Sequence, residues 1–273
     1  MNLNPEAIPT LFLAAGFFCI GYYLGGQRKS RIGWIVLLIL TAALAMPGVL
    51  FVLYYTHLFD RTRWFYEFRT LPHVELLGSG LAVLGGVIQG RLRPQTFAEK
   101  LATPIITVAL LFVPFLKSAL DPVDYDRLRD TCNGEVCLQS TQSTCGPTSA
   151  ATLLGMLGQR ASEKELAHEC FTYRGGTEIW YIARALRKRQ LKTEFVIQQP
   201  SHISPPAPAI AGVILRGGAG HFVAIMSATP DEITVGDPLK GKLVIPRRDL
   251  TNSYHFTGFF LVIRSGTALN DEK

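Results

Sequence analysis

Cys145 stands just before an apolar-periodic run, Thr148 to Leu157, and Pro147 occupies a first-turn position where a missing N–H costs nothing. At a helix start, free backbone N–H groups and the helix dipole favour the thiolate, which is the nucleophilic form of cysteine. Gly146 would leave room beside the sulfur for a substrate carbonyl. A thiolate needs an imidazole to activate it and to protonate the leaving group. Of the six histidines, His57 and His73 lie in an apolar half, and His168, His202 and His255 have no distinctive context. His221 differs, because it follows Gly217, Gly218 and Gly220 and opens an apolar strand. Asp237, in Val235-Gly236-Asp237-Pro238, ends the following strand and could orient the His221 ring. A plain Gly-Asp-Pro turn is the alternative reading of the same residues. An oxyanion needs a donor. Gln139, six residues before Cys145, is the candidate, with Gln142 as its competitor.

These residues require helices followed by strands. The Cys145 helix should close at Gly158, and Ser162-Glu163-Lys164-Glu165 is a capping-box pattern opening a second helix toward Cys170. Gly175-Gly176-Thr177 precedes a third helix, with Thr177 as its expected N-cap and Arg184, Arg187, Lys188 and Arg189 toward its C-terminus. Strands are expected over 192–197, 209–215, 221–227, 232–235, 243–245 and 259–263, with a proline-rich loop at 200–208. Helices first and an antiparallel sheet afterwards read as α+β.

Taken together, the stretch from Cys137 through Gln139 to Cys145-Gly146-Pro147, then Gly220-His221-Phe222-Val223, then Gly236-Asp237-Pro238, resembles the bacteriocin-processing, double-glycine-leader cysteine peptidases, which are papain-like. The likeness covers about residues 132–264. It implies Cys145 as nucleophile, His221 as general acid/base, Asp237 as its orienter and Gln139 as oxyanion donor. It also implies a peptide substrate cleaved after Gly-Gly, with no cofactor. In exporters of this family the peptidase precedes the membrane helices and an ATPase, whereas here the apolar half comes first. Gly236 to Lys242 imitates a phosphate loop, but Leu243 stands where a Ser or Thr would bind magnesium and a strand follows, so no ATP site is expected. A catalytically silent peptide-binding domain and a related amidase or acyl transferase are the alternatives on the same fold.

The apolar half is residues 1–120. Four segments have the length and composition of membrane spans: 8–26, 32–55, 72–90 and 102–120. The third is Gly-rich, carries Glu75 and is the weakest, with a re-entrant or interfacial piece as its alternative; if it does not span, the domain after it lies inside. A linker is expected at 121–131, the peptidase domain at 132–267 and a tail at 268–273. Residues 1–120 hold ten Lys/Arg against five Asp/Glu; the remainder holds seventeen against sixteen. The excess therefore lies between apolar runs, where membrane topology is set, and does not form a nucleic-acid-binding face. Arg28, Lys29 and Arg31, then Arg91, Arg93 and Lys100, would be cytoplasmic, placing the N-terminus and the peptidase domain outside, as expected for an integral protein of a bacterial inner membrane. Arg61, Arg63 and Arg69 run against this assignment, since they would also lie outside. Gly21 and Gly25 form a G-x-x-x-G suited to a helix partner, within the chain or in a dimer. Among Cys132, Cys137 and Cys170, the local disulfide choice is Cys132–Cys137, and no zinc site is expected.

Overall fold

A computed structural model describes residues 4–92, 94–199 and 202–264. Arg93, the domain end at 267 and the tail at 268–273 lie outside the described residues. The chain divides into two compact units, one running to Asp60 and resuming over Pro72–Leu120, the other formed by Arg61–Leu71 and the chain from Asp121 onward.

The first unit is helical: α1 (Ala7–Gly26), α2 (Arg31–Leu53), a 3-10 helix over Val74–Gly80 running into α4 (Leu81–Leu92), and α5 (Phe97–Leu120). Three of these helices, α1, α2 with its short 3-10 extension, and α5, are long and apolar enough to cross a membrane. Most of their large apolar side chains face outward, Phe12, Ile39 and Ile105 among them. The start of α2 is capped locally: Ser30 Oγ accepts the Gly33 N–H. The G-x-x-x-G of α1 is used inside the chain. A Cβ at Gly21 would lie 2.2 Å from the Val83 carbonyl oxygen, and one at Gly25 2.4 Å from that of Val87. Gly86 and Gly90 of α4 reciprocate, at 2.2 Å from the carbonyl oxygens of Phe18 and Tyr22. Small residues on both helices let the backbones touch. The dimer alternative for this motif is therefore corrected: α4 fills the groove.

The second unit is α+β, as the pattern of elements predicts. Helices α6 (Cys145–Met156), α7 (Glu163–Glu169) and α8 (Ile179–Lys188) precede a six-stranded antiparallel sheet. Its strands are β3 (Lys192–Ile197), β4 (Ala209–Ile214), β5 (Gly220–Ala228), β6 (Glu232–Asp237), β7 (Gly241–Pro246) and β8 (His255–Arg264), in the order β3-β8-β4-β5-β6-β7. Register explains the burial. Ala211 pairs with both Val223 and Phe260, and these three join Val213, Ile225, Val235 and Leu250 in one apolar cluster. Ile210, paired with Ala224 and Leu261, is buried on the opposite face, as strand alternation requires. Short α9 (Leu250–Ser253) precedes β8.

Three local expectations change. Residues 121–131, read as a linker, pack onto the domain: Val123 and Leu128 are buried with Ala167, and the Tyr125 hydroxyl donates to the Thr172 carbonyl at 2.9 Å. A two-stranded hairpin, β1 (Thr131–Asn133) with β2 (Val136–Leu138), follows, closed by the Cys132–Cys137 disulfide. Thr177 does not cap α8, whose N-cap is Glu178; the Thr177 hydroxyl pairs instead with that of Thr172 at 2.8 Å. By contrast, Ser162 Oγ accepts the Glu165 N–H at 3.0 Å, the half of a capping box that satisfies an orphan donor. The Glu165 carboxylate does not complete the box and pairs with Arg189.

One glycine has no substitute. Gly258 in β8 has φ +85°, and a Cβ there would lie 2.0 Å from the backbone oxygen of Gln198, beside the Gln198–Gly258 hydrogen bond at 2.8 Å. Gly258→Ala is expected to lower the unfolding free energy by at least about 1–3 kcal/mol, from the left-handed backbone alone. Thermal unfolding of the purified variant checks this, and an unchanged midpoint would count against the β3–β8 geometry.

Candidate active site

α6 begins at Cys145, as expected from the apolar run, and its start is held by the loop before it. The Thr148 N–H donates to the Thr144 carbonyl at 3.0 Å, and Thr144, fully buried, bonds Thr141 through its hydroxyl. Glu163, at the start of α7, accepts both the Ser140 N–H at 2.7 Å and the Ser140 hydroxyl at 2.6 Å. The Ser143 hydroxyl donates to the Arg174 carbonyl. The 139–144 loop is thus pinned from three sides. Gly146 has a different reason from the one the sequence suggests. A Cβ there would lie 2.6 Å from Ile182 Cδ1 and 3.4 Å from Phe222 Cδ2, so glycine serves the packing of α6 against α8 and β5.

His221, the second residue of β5, is 5% exposed, and Cys145 is one of the groups that act on its ring. β5 and β6 pair with Ala224 opposite Gly236, which makes Asp237 a diagonal neighbour of His221 on the adjacent strand. The ring uses Nε2 toward Asp237 Oδ1 at 3.0 Å, so its other nitrogen is the one available to the sulfur. Asp237 is fully buried. Its two readings, turn former and histidine partner, are both realised. Oδ1 also accepts the Leu239 N–H at 2.8 Å inside the β6–β7 turn, and Gly241, φ +87°, completes that turn.

Asp237 Oδ2 accepts a 2.5 Å hydrogen bond from the Tyr254 hydroxyl. Tyr254, 5% exposed, follows α9, and no local motif in the sequence connects it with Asp237. Lys240 Nζ stands 3.8 Å from the same oxygen and 5.1 Å from the Tyr254 ring centre. Burial alone would raise the Asp237 pKa, but the hydrogen bonds from His221, Tyr254 and Leu239 hold it below the usual aspartate value. Burial and the donation to Asp237 push the Tyr254 phenol upward. For His221, burial disfavours the charged ring. The hydrogen bonds to Asp237 and Cys145, with the charges they carry, outweigh it and raise the pKa to about 9. Tyr254→Phe removes a hydrogen bond to a buried carboxylate and is expected to cost about 1.5–3 kcal/mol of stability. Chemical denaturation at neutral pH measures it, and a loss indistinguishable from zero would show that Asp237 does not depend on that hydroxyl.

Gln139 comes close to the same centre through the chain. Its N–H donates to the Pro238 carbonyl at 2.9 Å, directly after Asp237. Its side-chain Nε2 donates to the Thr141 carbonyl at 2.7 Å, leaving a second N–H, while its Oε1 is buried without a partner among the described residues. Gln142, the competitor, is exposed. Cys170 is fully buried in the free form, and Cys132 and Cys137 are joined.

Among known proteins, the chain is 29% identical over 133 residues to an uncharacterized protein of Methanothermobacter thermautotrophicus, covering 47% of this chain and 87% of that one. It is 31% identical over 125 residues to one of Methanothermobacter marburgensis, covering 46% and 84%. Among solved structures, it is similar to the peptidase domain of Streptococcus ComA, a bifunctional ABC transporter of a quorum-sensing pathway, with TM-score 0.41 at 18% identity over 48% of this chain and 97% of that one. It is also similar to a double glycine motif protease from an AMS/PCAT transporter, solved with its leader peptide, with TM-score 0.41 at 22% identity over 51% and 95%. The family model for Peptidase C39 matches residues 133–268, a stretch that includes β2, the pinned loop, Cys145, His221 and Asp237. With that match falling on the sheet and helix start that bring those three residues together, the chain belongs to the Peptidase C39 family.

Proposed function

We propose that the protein is a membrane-anchored cysteine endopeptidase in which Cys145, His221, Asp237 and Gln139 act together. The observation that carries the reading is the buried His221–Asp237 pair, with Nε2 committed to the carboxylate at 3.0 Å and Cys145 acting on the same ring. In this reading the Cys145 thiolate attacks a peptide carbonyl carbon, and the charge that develops on oxygen is met by the free Gln139 N–H. Collapse of the tetrahedral species breaks the C–N bond, and the His221 imidazolium gives its proton to the departing amine. A thioester remains. His221, now neutral, takes a proton from water; the hydroxide adds to the thioester carbonyl, and Cys145 leaves as thiolate. Asp237 holds the ring and favours its charged form, while Tyr254 and the Leu239 N–H hold Asp237.

Peptides with a Gly-Gly pair before the scissile bond are the substrate class we favour, because the stretches around Gln139, Cys145, His221 and Asp237 resemble those of the double-glycine-leader peptidases. The anchor reading rests on the length and apolar outward faces of α1, α2 and α5. Incubation of the purified chain with peptides differing only in that pair, analysed by mass spectrometry, tests specificity. Equal cleavage of Gly-Gly and Leu-Leu peptides would overturn the Gly-Gly assignment.

A further inference from the structure

The connection between α2 and α4 contains a helix that no apolar-segment reading detects, α3 (Arg63–Thr70). It belongs to the second unit, with the catalytic domain, although the chain on both sides of it belongs to the first. Its attachment is extensive. Phe65 is fully buried and edge-on to Trp180 at 6.3 Å. Tyr66 sits among Phe195 and Phe259, with ring centres at 5.4 and 4.9 Å. Glu67 accepts from Arg187 at 2.7 Å and from the Phe195 N–H at 3.2 Å. Arg184 donates to the Arg69 carbonyl at 2.6 Å. Arg63 pairs with Glu194 at 2.9 Å, and Arg69, 2% exposed, lies over the Trp180 ring at 4.7 Å.

Two of the three arginines that conflicted with the charge rule are therefore occupied in docking α3. Arg63 and Arg69 report on the domain they bind, and the remaining charge balance favours 27–31 and 91–100 as the cytoplasmic ends. Within the first unit, an independent set of contacts brings these same two segments to one end. α1 and α4 run parallel, since Gly86 meets Phe18 and Gly90 meets Tyr22. At one end, Arg91 lies over the Trp34 ring at 5.0 Å and Gln89 donates to the Lys100 carbonyl at 3.0 Å. At the other, His73 meets Glu6 at 2.9 Å and Lys117 lies over Tyr55 at 4.7 Å. Val74–Leu92 is about 32 Å long at the rises of 3-10 and α helices, which matches a hydrocarbon core. A re-entrant 74–92 would leave α3 and the chain after Leu120 on opposite faces, and the α3 contacts would be broken.

We propose that Arg61–Leu71 is a strap built into the catalytic domain, that the chain consequently crosses the membrane four times, and that the catalytic domain works on the non-cytoplasmic face. This inference rests on the anchor reading above. It places the reaction in sequence: a peptide made in the cytoplasm would reach Cys145 only after a translocation step.

The test uses the full chain in intact cells, with Cys19→Ser and Cys145→Ser to remove background. Single cysteines at Arg28, Leu58, Gln95 and Asp126 are probed with a membrane-impermeant maleimide. Leu58→Cys and Asp126→Cys should label in intact cells, and Arg28→Cys and Gln95→Cys only after permeabilisation. Opposite behaviour of positions 58 and 126 would overturn the strap and the four crossings together. Protection of both, with labelling at position 28, would overturn the assigned face. Separately, Arg63→Cys with Glu194→Cys should yield a linked peptide with a short bis-maleimide; two singly modified cysteines and no linked peptide would overturn the strap. Carbonate extraction tells the two readings apart. Release of the protein would overturn the anchor and the crossings, while the cross-link still decides the strap.

Discussion

Cys145→Ala is expected to reduce peptide cleavage by on the order of 10⁴-fold or more, the scale on which removal of a nucleophile acts when its partners form a single working unit. The fold should persist. Cys145 is 7% exposed, the substitution removes one sulfur atom, and α6 is fixed by the Thr144 carbonyl and the Glu163 clamp on Ser140. Covalent labelling by a Gly-Gly peptide carrying a thiol-reactive end group should disappear at the same time. Cys170 supplies an internal control. It is fully buried, and burial together with the neighbouring Glu169 charge pushes its thiol well up, so it should remain unlabelled in both forms. Hydrolysis assays and intact-mass spectrometry check both outcomes. Adduct formation that persists in Cys145→Ala would remove this residue from the mechanism.

The order of helices and strands was legible because burial in this unit follows simple periodicities. β4, Ala209–Ile214, reads as an apolar run because it lies between β8 and β5 in the sheet interior. The stretch around Cys145 and the His221 and Asp237 strand ends stood out for the same reason: each punctuates a regular element. Other features carry no such signal. The β1–β2 hairpin has strands of three residues, with all of β1 exposed, so no alternation marks it. Thr177 looked like a cap by residue type, but tertiary packing gave its hydroxyl to Thr172. Tyr254 is 17 residues from Asp237, and its role follows from the need of a buried carboxylate for a donor on each oxygen, a requirement that only three-dimensional placement reveals.

α3, by contrast, does carry a signal in the sequence. Phe65, Tyr66, Arg69 and Thr70, the residues it buries, recur at helical spacing. Its charges, Arg61, Arg63 and Arg69, are what the sequence makes conspicuous, and charge alone marks the segment as a topological determinant. Arginine stacked on tryptophan, as at Arg69 and Trp180, is a packing residue as much as a charge. Counting it as a free cation misplaced the conflict in the charge rule. Gly146 illustrates the reverse error: a glycine beside a candidate nucleophile invites a functional reading, whereas Ile182 and Phe222 already account for it.

Asp237→Asn is expected to lower turnover by about 10³–10⁴-fold and to move the alkaline limit of activity to lower pH. An asparagine amide donating to Nε2 would force the ring proton onto the nitrogen that faces Cys145, the tautomer unable to accept the thiol proton. The pH effect has a definite sign. Burial disfavours the charged His221 ring, and the Asp237 hydrogen bond is the largest of the influences that overcome it and raise the pKa to about 9. Attack requires the imidazolium to protonate the amine, so the wild-type rate should fall as pH rises through about 9. Without the carboxylate, burial prevails and that fall should begin earlier. Stability should follow the same linkage. The His221 contribution is fully present below 6.5 and is lost as pH rises toward about 9; that of Asp237, whose pKa is depressed, is present above 3.8 and is lost as pH falls further. The stability gap between wild type and Asp237→Asn should therefore be widest between those two values and narrow toward pH 9. Rate profiles and denaturation midpoints across this range measure both effects, and coincident alkaline limits in the two proteins would mean that Asp237 does not govern the charge on His221.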